Sequence, residues 1–489
     1  MSLPRLRSLW SFRGRYRILH LTWLAFFLTF VVWFNYAPFA NTIAADLGLT
    51  DAQKKTIGLV NVALTVPARV FIGMALDRWG PRRVYSAILL FAVVPNTLFA
   101  FASSFEMLVL ARLGVSIVGA GFVAGIRMVS EWFPPREVGF AEGVYGGWGN
   151  FGAAAAAMAL PGLAGVLGGW RWAIFLTGVL AAAYGLYYLR AVTDTPDGVT
   201  YARPRRQGAL EVTTPGAVWG LAAMTVPLNA VLGLIAWRVW HTDVISTPVF
   251  VGALVAVVAL LIAQELAVFR VNRPARRSEY AAADQYPFRS VVALPVAYAA
   301  TFGSELAVVS MLPTFFEDTW GLGTTAAGLA ASMFAFVNTV ARPAGGVASD
   351  NLGSRRRVLT FVLVGLLVGY VLLSTMGAAW PWGLAVAACM FCSVFVQAGA
   401  GAVYAVVPLV RKPVSGQISG LAGAYGNVGG IVFLTANLYV SSRTFFLIIA
   451  GVAALAALVS LILVEPAESF AAAPADDAEP ALAPLLAPA

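Results

Sequence analysis

Cysteine and histidine occur only twice each in the 489 residues, and charged side chains make up 11% of them. Two thiols exclude a disulfide scaffold, and His20 and His241 supply too few ligands for a haem or multi-centre redox protein. The scarcity of charge, set against 60% hydrophobic residues and a mean hydropathy of +0.80, excludes a soluble globular enzyme and a disordered chain. What is abundant is apolar surface, which needs lipid to cover it. The net charge of +9 then reads as anchorage at an anionic leaflet, with no nucleic-acid partner.

Runs long enough to cross about 30 Å of hydrocarbon fall near 21–43, 56–76, 84–104, 107–130, 139–164 and 171–190. Two more follow near 216–240 and 246–269, between basic stretches, and a last group lies near 290–315, 325–348, 358–378, 381–409, 416–439 and 443–464. The pattern is six, two, six. The short loops with Arg78, Arg82 and Arg83, with Arg355 to Arg357, and with Arg411 and Lys412 fall on one side, together with Arg5 to Arg17 and both central basic stretches. That side is expected to be cytoplasmic, which puts both termini inside. The chain therefore divides into a basic N-terminus (1–20), a six-helix half (21–190), a basic linker with a two-helix hairpin (191–289), a second six-helix half (290–464) and a tail (465–489) expected to be disordered. The first run continues through Trp33, Phe34 and Tyr36, too far for the apolar core of a cleaved leader.

The sequence nearly repeats itself. Arg69, Gly73, Asp77, Gly80, Arg82 and Arg83, each moved by 273 positions, give Arg342, Gly346, Asp350, Gly353, Arg355 and Arg356. A second match joins Gly146-Gly147-Trp148-Gly149-Asn150-Phe151-Gly152 to Gly423-Ala424-Tyr425-Gly426-Asn427-Val428-Gly429, at 277. Duplicated six-helix halves are a transporter plan, with the substrate held between the halves near the midplane.

The stretch Gly73 to Arg83, with Arg78 inside it, resembles the loop motif of the major facilitator superfamily, with Ala75 and Pro81 as departures, and the stretch around Gly346 to Arg356 is its echo. The small glycines permit close helix contact, and Asp77 with the Arg cluster is expected to pair across helix ends. More specifically, the chain resembles the nitrate/nitrite porter (NarK-type) family. Its Gly-rich fifth and eleventh helices are matched around Asn150 and Asn427, its second- and eighth-helix arginines by Arg69 and Arg342, its seventh-helix pattern by Tyr298, Phe302, Gly303 and Ser304, and its fourth-helix aromatic by Phe122. The resemblance implies an all-α major facilitator fold of about 14 spans and a secondary transporter of nitrate and nitrite. It covers roughly 20–190 and 290–464 and leaves the hairpin unexplained.

Physical chemistry supports the same residues. Arg69 lies eight positions before Asp77, about 12 Å along a helix, and Arg342 has the same spacing to Asp350. Both guanidiniums thus belong near the bilayer centre, where an uncompensated Arg costs at least about 2.5 to 3.5 kcal/mol. Neither helix has an acid within a turn, so an anionic partner is expected. Nitrate and nitrite are small, planar anions that match the two parallel donors of a guanidinium. Gly149 and Gly426 leave room, Asn150 and Asn427 offer amide donors, and Tyr298, Phe302 and Phe122 are expected to stack on the ion. Glycines and aromatics in membrane helices also serve packing alone.

Glu305, seven residues beyond Tyr298 on the same helix face, is the expected proton carrier, because desolvation at that depth disfavours a charged carboxylate. Within the resembled family, a Glu here belongs to proton-symporting branches. Arg127 and Glu131, one turn apart, read as a structural ion pair. Cys389 and Cys392 lie in an apolar run without further ligands and read as packing. No metal or cofactor is expected. The reading is a monomeric nitrate/proton symporter of the bacterial inner membrane; the alternatives are nitrate/nitrite antiport, transport of another small anion, and an anion sensor. A membrane enzyme is disfavoured because no nucleophile or paired acid–base cluster is evident.

Overall fold

The computed structural model describes residues 8–466 and 469–471, so Arg5, Arg7 and most of the expected disordered tail lie outside the described residues. Among the described residues the chain is helical, without strands. The first half comprises α1 (Gly14–Leu47), α2 (Asp51–Trp79), α3 (Pro81–Ala100), α4 (Phe105–Trp132), α5 (Val138–Leu167) and α6 (Trp170–Ala191). The hairpin is α7 (Pro215–His241) and α8 (Thr247–Val271). The second half comprises α9 (Phe288–Trp320), α10 (Thr324–Phe336 and Asn338–Asn351), α11 (Arg355–Leu373), α12 (Trp382–Tyr404), α13 (Ser415–Ala436) and α14 (Ser442–Ser460).

Thirteen of the described helical stretches are long and apolar enough to cross a membrane. The expected run at 325–348 is interrupted at Val337, between the two pieces of α10. The first run begins earlier than hydropathy suggests. His20, read as lying outside the span, is buried inside α1, bonded to the Leu9 carbonyl at 2.8 Å and accepting from Trp23 Nε1 at 3.0 Å.

Helix starts follow local chemistry. Thr50 and Gln53 form a capping box before α2, and Ser104, Thr214, Ser354 and Ser441 accept N-terminal backbone N–H groups of α4, α7, α11 and α14. Gly80, at φ 82°, and Gly353, at φ 73°, make the sharp turns after α2 and α10 that the repeated motif requires.

The halves meet along two helix pairs, α2 with α13 and α5 with α10, at the end carrying the Arg-rich loops, the basic end. Here the small residues of the repeat have a definite role. A Cβ on Gly73 would come within 3.0 Å of the Gln417 Cα, and one on Gly147 within 3.0 Å of the Asn338 carbonyl. Gly346 faces the Gly139 backbone equally closely, so any side chain at these positions pushes the halves apart. Toward the other end one face of α5 is uncovered, with Met158 and Val166 exposed and Cβ atoms on Gly162 or Gly165 meeting nothing within 4 Å, while Ala156, Leu160 and Ala164 stay buried on the opposite face.

The hairpin sits outside this arrangement. Within the hairpin, Thr225 bonds Glu265, and Asn229 donates to Gln264 at 2.7 Å. Tyr425 of α13 ties α7 to the second half by donating to the Met224 carbonyl at 2.9 Å. The first tail residues are held, contrary to a tail disordered from 465. Arg356 N donates to Glu465 at 3.0 Å, Arg355 donates to the Ser469 carbonyl at 2.8 Å, and Arg136 N donates to the Ala471 carbonyl at 3.2 Å.

Candidate functional site

The repeated arginines converge. Arg69 on α2 is fully buried and Arg342 on α10 is 2% exposed. Their guanidinium carbons lie 5.8 and 5.6 Å from the centre of one ring, that of Phe122. A 3-10 turn at Gly119–Gly121 sets that ring within α4. Arg69 also lies 5.4 Å from the Phe302 ring. Tyr298 and Phe302, one turn apart on α9, stack at 5.1 Å with an interplanar angle of 3°, and Phe122 lies parallel to Tyr298 at 6.4 Å. The three aromatics expected at the site therefore form one parallel set beside both cations.

The glycine-rich patches let the arginines in. A Cβ on Gly146 would stand 2.9 Å from Arg342 Nε, and one on Gly423 would stand 3.0 Å from Arg69 Cδ. Gly426 makes room for the Tyr298 ring, whose Cδ1 would lie 2.6 Å from an added Cβ. Gly149 differs: its side faces Phe26 of α1, so it packs the first half rather than lining the site. Gly146 and Gly423, related by the 277-position repeat, face the arginine side chains, while Gly143, Gly401 and Gly420 lie against the arginine backbones.

Donor accounting locates the unmet demand. Arg69 Nη1 donates to the Gly423 carbonyl at 2.6 Å and Arg342 Nη2 to the Tyr298 hydroxyl at 3.0 Å. Arg69 Nε, Arg342 Nη1 and both side-chain polar atoms of Asn150 and of Asn427 are buried without a hydrogen-bond partner. Buried donors left unpaired cost about 1 to 3 kcal/mol each, and Asn150 and Asn427 follow Gly146 and Gly423 by four residues, on the helix faces that meet the arginines, so these groups together mark a place for an acceptor-rich ligand.

The expectation that no acid offsets either arginine holds only along their own helices. Glu305 of α9 and Glu142 of α5 both act electrostatically on Arg342. Glu305 accepts from Asn338 Nδ2 at 3.1 Å, and its other oxygen is unpaired. Arg69 is influenced instead by the hydroxyls of Tyr298, Tyr404 and Tyr145 and by Arg342 itself. Sequence reasoning passed over Glu142, Tyr404 and Asn338. A buried acid four positions before Gly146, on a patch already singled out, was a readable signal for the first; nothing in one sequence marks the other two.

At the basic end the motif residues close the seam between the halves. Asp77 accepts the backbone N–H groups of Gly416 and Gln417 at 2.9 and 3.0 Å, and Asp350 accepts those of Gly139 and Phe140 at 3.0 and 2.7 Å. The expected pairing of Asp77 with the arginines of its own loop is corrected here. Its cation is Arg127, 3.9 Å away, which also pairs with Glu131 at 3.0 Å as expected. Arg78 packs over Trp79, and Arg82 bonds the Leu189 carbonyl and, through its backbone, Asp194, whose carboxyl is pushed up by burial. In the second half Arg355 does pair with Asp350, at 2.8 Å. Cys389 and Cys392 are free and buried in α12, and no group able to hold a metal is found among the described residues.

Residues 22–281 and 294–488 match the model of the Major Facilitator Superfamily. The chain is 48% identical over 468 residues to the nitrate/nitrite transporter NrtP of Picosynechococcus, covering 90% of this chain and 88% of that protein. It is 46% identical over 481 residues to the NrtP of Nostoc punctiforme, covering 96% of each. The chain belongs to the nitrate/nitrite porter family of the major facilitator superfamily. Among solved structures, the proton:xylose symporter XylE shares the fold at a TM-score of 0.60 and 12% identity, over 93% of this chain and 98% of that one. Members of this superfamily are membrane transporters, and this multi-pass helical chain is one of them rather than an enzyme.

Proposed function

We propose that this protein imports nitrate, with nitrite as a second substrate, across the bacterial inner membrane by alternating access, with both termini and the basic end cytoplasmic. The observation that carries the reading is the convergence of unpaired buried donors, from Arg69, Arg342, Asn150 and Asn427, beside three parallel aromatic rings. A flat anion with acceptors in its plane fits both features: guanidinium and amide donors meet its edge, and the rings meet its face. The nitrate/nitrite specificity of the NrtP relatives agrees with this chemistry. An anion between the two cations draws the two halves together, which links occupancy to the conformational change.

Glu305 is the proposed coupling acid for proton symport. It lies within the influence of Arg342 and is bonded to Asn338, close to the level of the guanidinium. Antiport is the second reading, favoured by one observation: among the described residues the groups acting on Arg69 are the hydroxyls of Tyr298, Tyr404 and Tyr145 and the cation of Arg342, with no carboxylate, so a second anion is its natural counter-ion on the return step. Uptake of labelled nitrate by proteoliposomes decides between them. Accumulation driven by a pH gradient in wild-type protein, abolished in Glu305→Gln with nitrate exchange retained, supports symport through Glu305. Uptake only against internal nitrite rejects it.

A further inference from the structure

Glu142 is the most anomalous acid among the described residues. It is 2% exposed, and neither carboxylate oxygen has a hydrogen-bond partner. It belongs neither to the seam at the basic end nor to the aromatic set. Helix register fixes its place. Gly146 lies level with the Arg342 guanidinium, and Glu142 is four residues earlier on the same face of α5, about 6 Å nearer the basic end. Glu305 is bonded to Asn338 on the oppositely directed α10, whose carbonyl meets Gly147, so it lies close to the level of the guanidinium itself. Two buried carboxyl groups therefore share one guanidinium, Glu305 near its level and Glu142 about a turn nearer the basic end.

We infer that Glu142 is a second proton site of the transport cycle, the group that neutralises Arg342 when the anion has left. This rests on the reading of the site as a nitrate site. With the site empty, a charged Glu142 compensates Arg342. An anion on Arg342 takes over that role, and a buried carboxylate that has lost its cation and has no hydrogen bonds then binds a proton from solvent. When the basic end opens and the anion departs, Arg342 recovers Glu142 and the proton leaves to the same side. The carrier returns with Arg342 balanced. Anion binding and proton uptake at Glu142 are thereby linked, each favouring the other by the same factor.

No other packed group takes this role. From α10 Glu142 faces Arg342, with Asp350 beyond it committed to Arg355; from α12 and its own helix it faces the Tyr404 and Tyr145 hydroxyls. Of the charged groups of α4, Arg127 and Glu131 pair with each other, Arg112 donates to Asn35, Asn61 and the Trp33 carbonyl, and Glu106 lies in the first turn at the far end; Arg15 of α1 pairs with Glu137. Arg171 of α6 is bonded to the Ala100 and Ala102 carbonyls, and Arg190 ends that helix.

The test is the number of protons taken up per nitrate bound by purified protein in weakly buffered detergent, together with nitrate affinity across pH, for wild type, Glu142→Gln and Glu305→Gln. Gln imitates the protonated acid. Glu142→Gln should therefore bind nitrate at least as tightly as wild type at every pH, take up fewer protons per nitrate, and lose part of the affinity gain, up to about tenfold per pH unit, that wild type shows on acidification. Glu305→Gln should keep the share due to Glu142. Unchanged proton uptake in Glu142→Gln, or loss of its nitrate binding in monodisperse protein, overturns the inference. If Glu142→Gln does not yield monodisperse protein, Glu142→Asp replaces it: a shifted pH midpoint for binding supports the inference and an unshifted one overturns it. Absence of nitrate binding in wild type would instead reject the nitrate reading itself.

Discussion

Asp77 holds the first turn of α13 through the backbone N–H of Gly416, at 2.9 Å, across the boundary between the two halves. Asp350 does the same for α5 through Gly139. Each half grips a helix N-terminus of the other with a carboxylate, at the place where the helix dipole favours negative charge.

Asp77→Asn keeps the shape and one acceptor but removes the charge. A hydrogen bond to a charged group contributes about 1.5 to 3 kcal/mol, so the equilibrium should move toward opening of the basic end by about tenfold or more. In a background with Cys389 and Cys392 replaced by Ser, Ser415→Cys, an isosteric change at a buried residue of α13 that meets Arg127 of the first half, should react faster with a thiol reagent applied from the basic side. An unchanged rate would mean that Asp77 does not latch the seam.

Gly423→Ala places a methyl 3.0 Å from Arg69 Cδ and 3.2 Å from its Nη1. The flexible side chain gives way rather than the backbone, so the protein should fold while nitrate affinity drops by about tenfold through loss of a bidentate geometry. Gly162→Ala, where nothing lies within 4 Å, is the matched control and should bind like wild type. Equilibrium binding of labelled nitrate measures both.

Tyr298→Phe removes the hydroxyl that accepts from Arg342 and leaves the stack with Phe302. One hydrogen bond corresponds to about 1 kcal/mol, so affinity should weaken about fivefold, while Arg342→Lys, which loses the planar fork, should weaken it more than about tenfold. Equal losses in the two variants would argue against bidentate recognition.

Replacement of 216–269 by a flexible linker should leave nitrate binding measurable, because the hairpin contributes no residue to the arginine–aromatic cluster and is tied to α13 by the bond from Tyr425 to Met224. Binding to the folded deletion variant is the readout, and its complete loss would place the hairpin within the transport unit.

Arg69 and Arg342 were legible because a buried cation in a membrane helix has few uses and because the second half repeats the first, whereas Phe122, Tyr298 and Phe302 were legible only through the family resemblance. Pairings between helices were not legible. The Asp77 motif reads locally as a loop of opposite charges, yet its carboxylate spans the two halves, since helix N-termini offer N–H donors that hydropathy does not reveal. The same limit hid Glu142, whose importance comes from α10, some two hundred residues away in the chain. Gly149 failed for the opposite reason: it shares a motif with Asn150 but points to a different face of α5.

Arg355 binds five parties at once: Ser349 and Asp350 beside it, the Ala405 carbonyl, the Pro135 carbonyl of the first half, and the Ser469 carbonyl at the start of the tail, with the Phe470 ring 5.2 Å away. Any motion that parts the halves at this end has to break the link to Pro135 and changes the surroundings of Phe470 in the same stroke. A dye carried at position 470 would therefore brighten or dim with each turnover, which makes the start of the tail a natural place from which to watch single carriers at work.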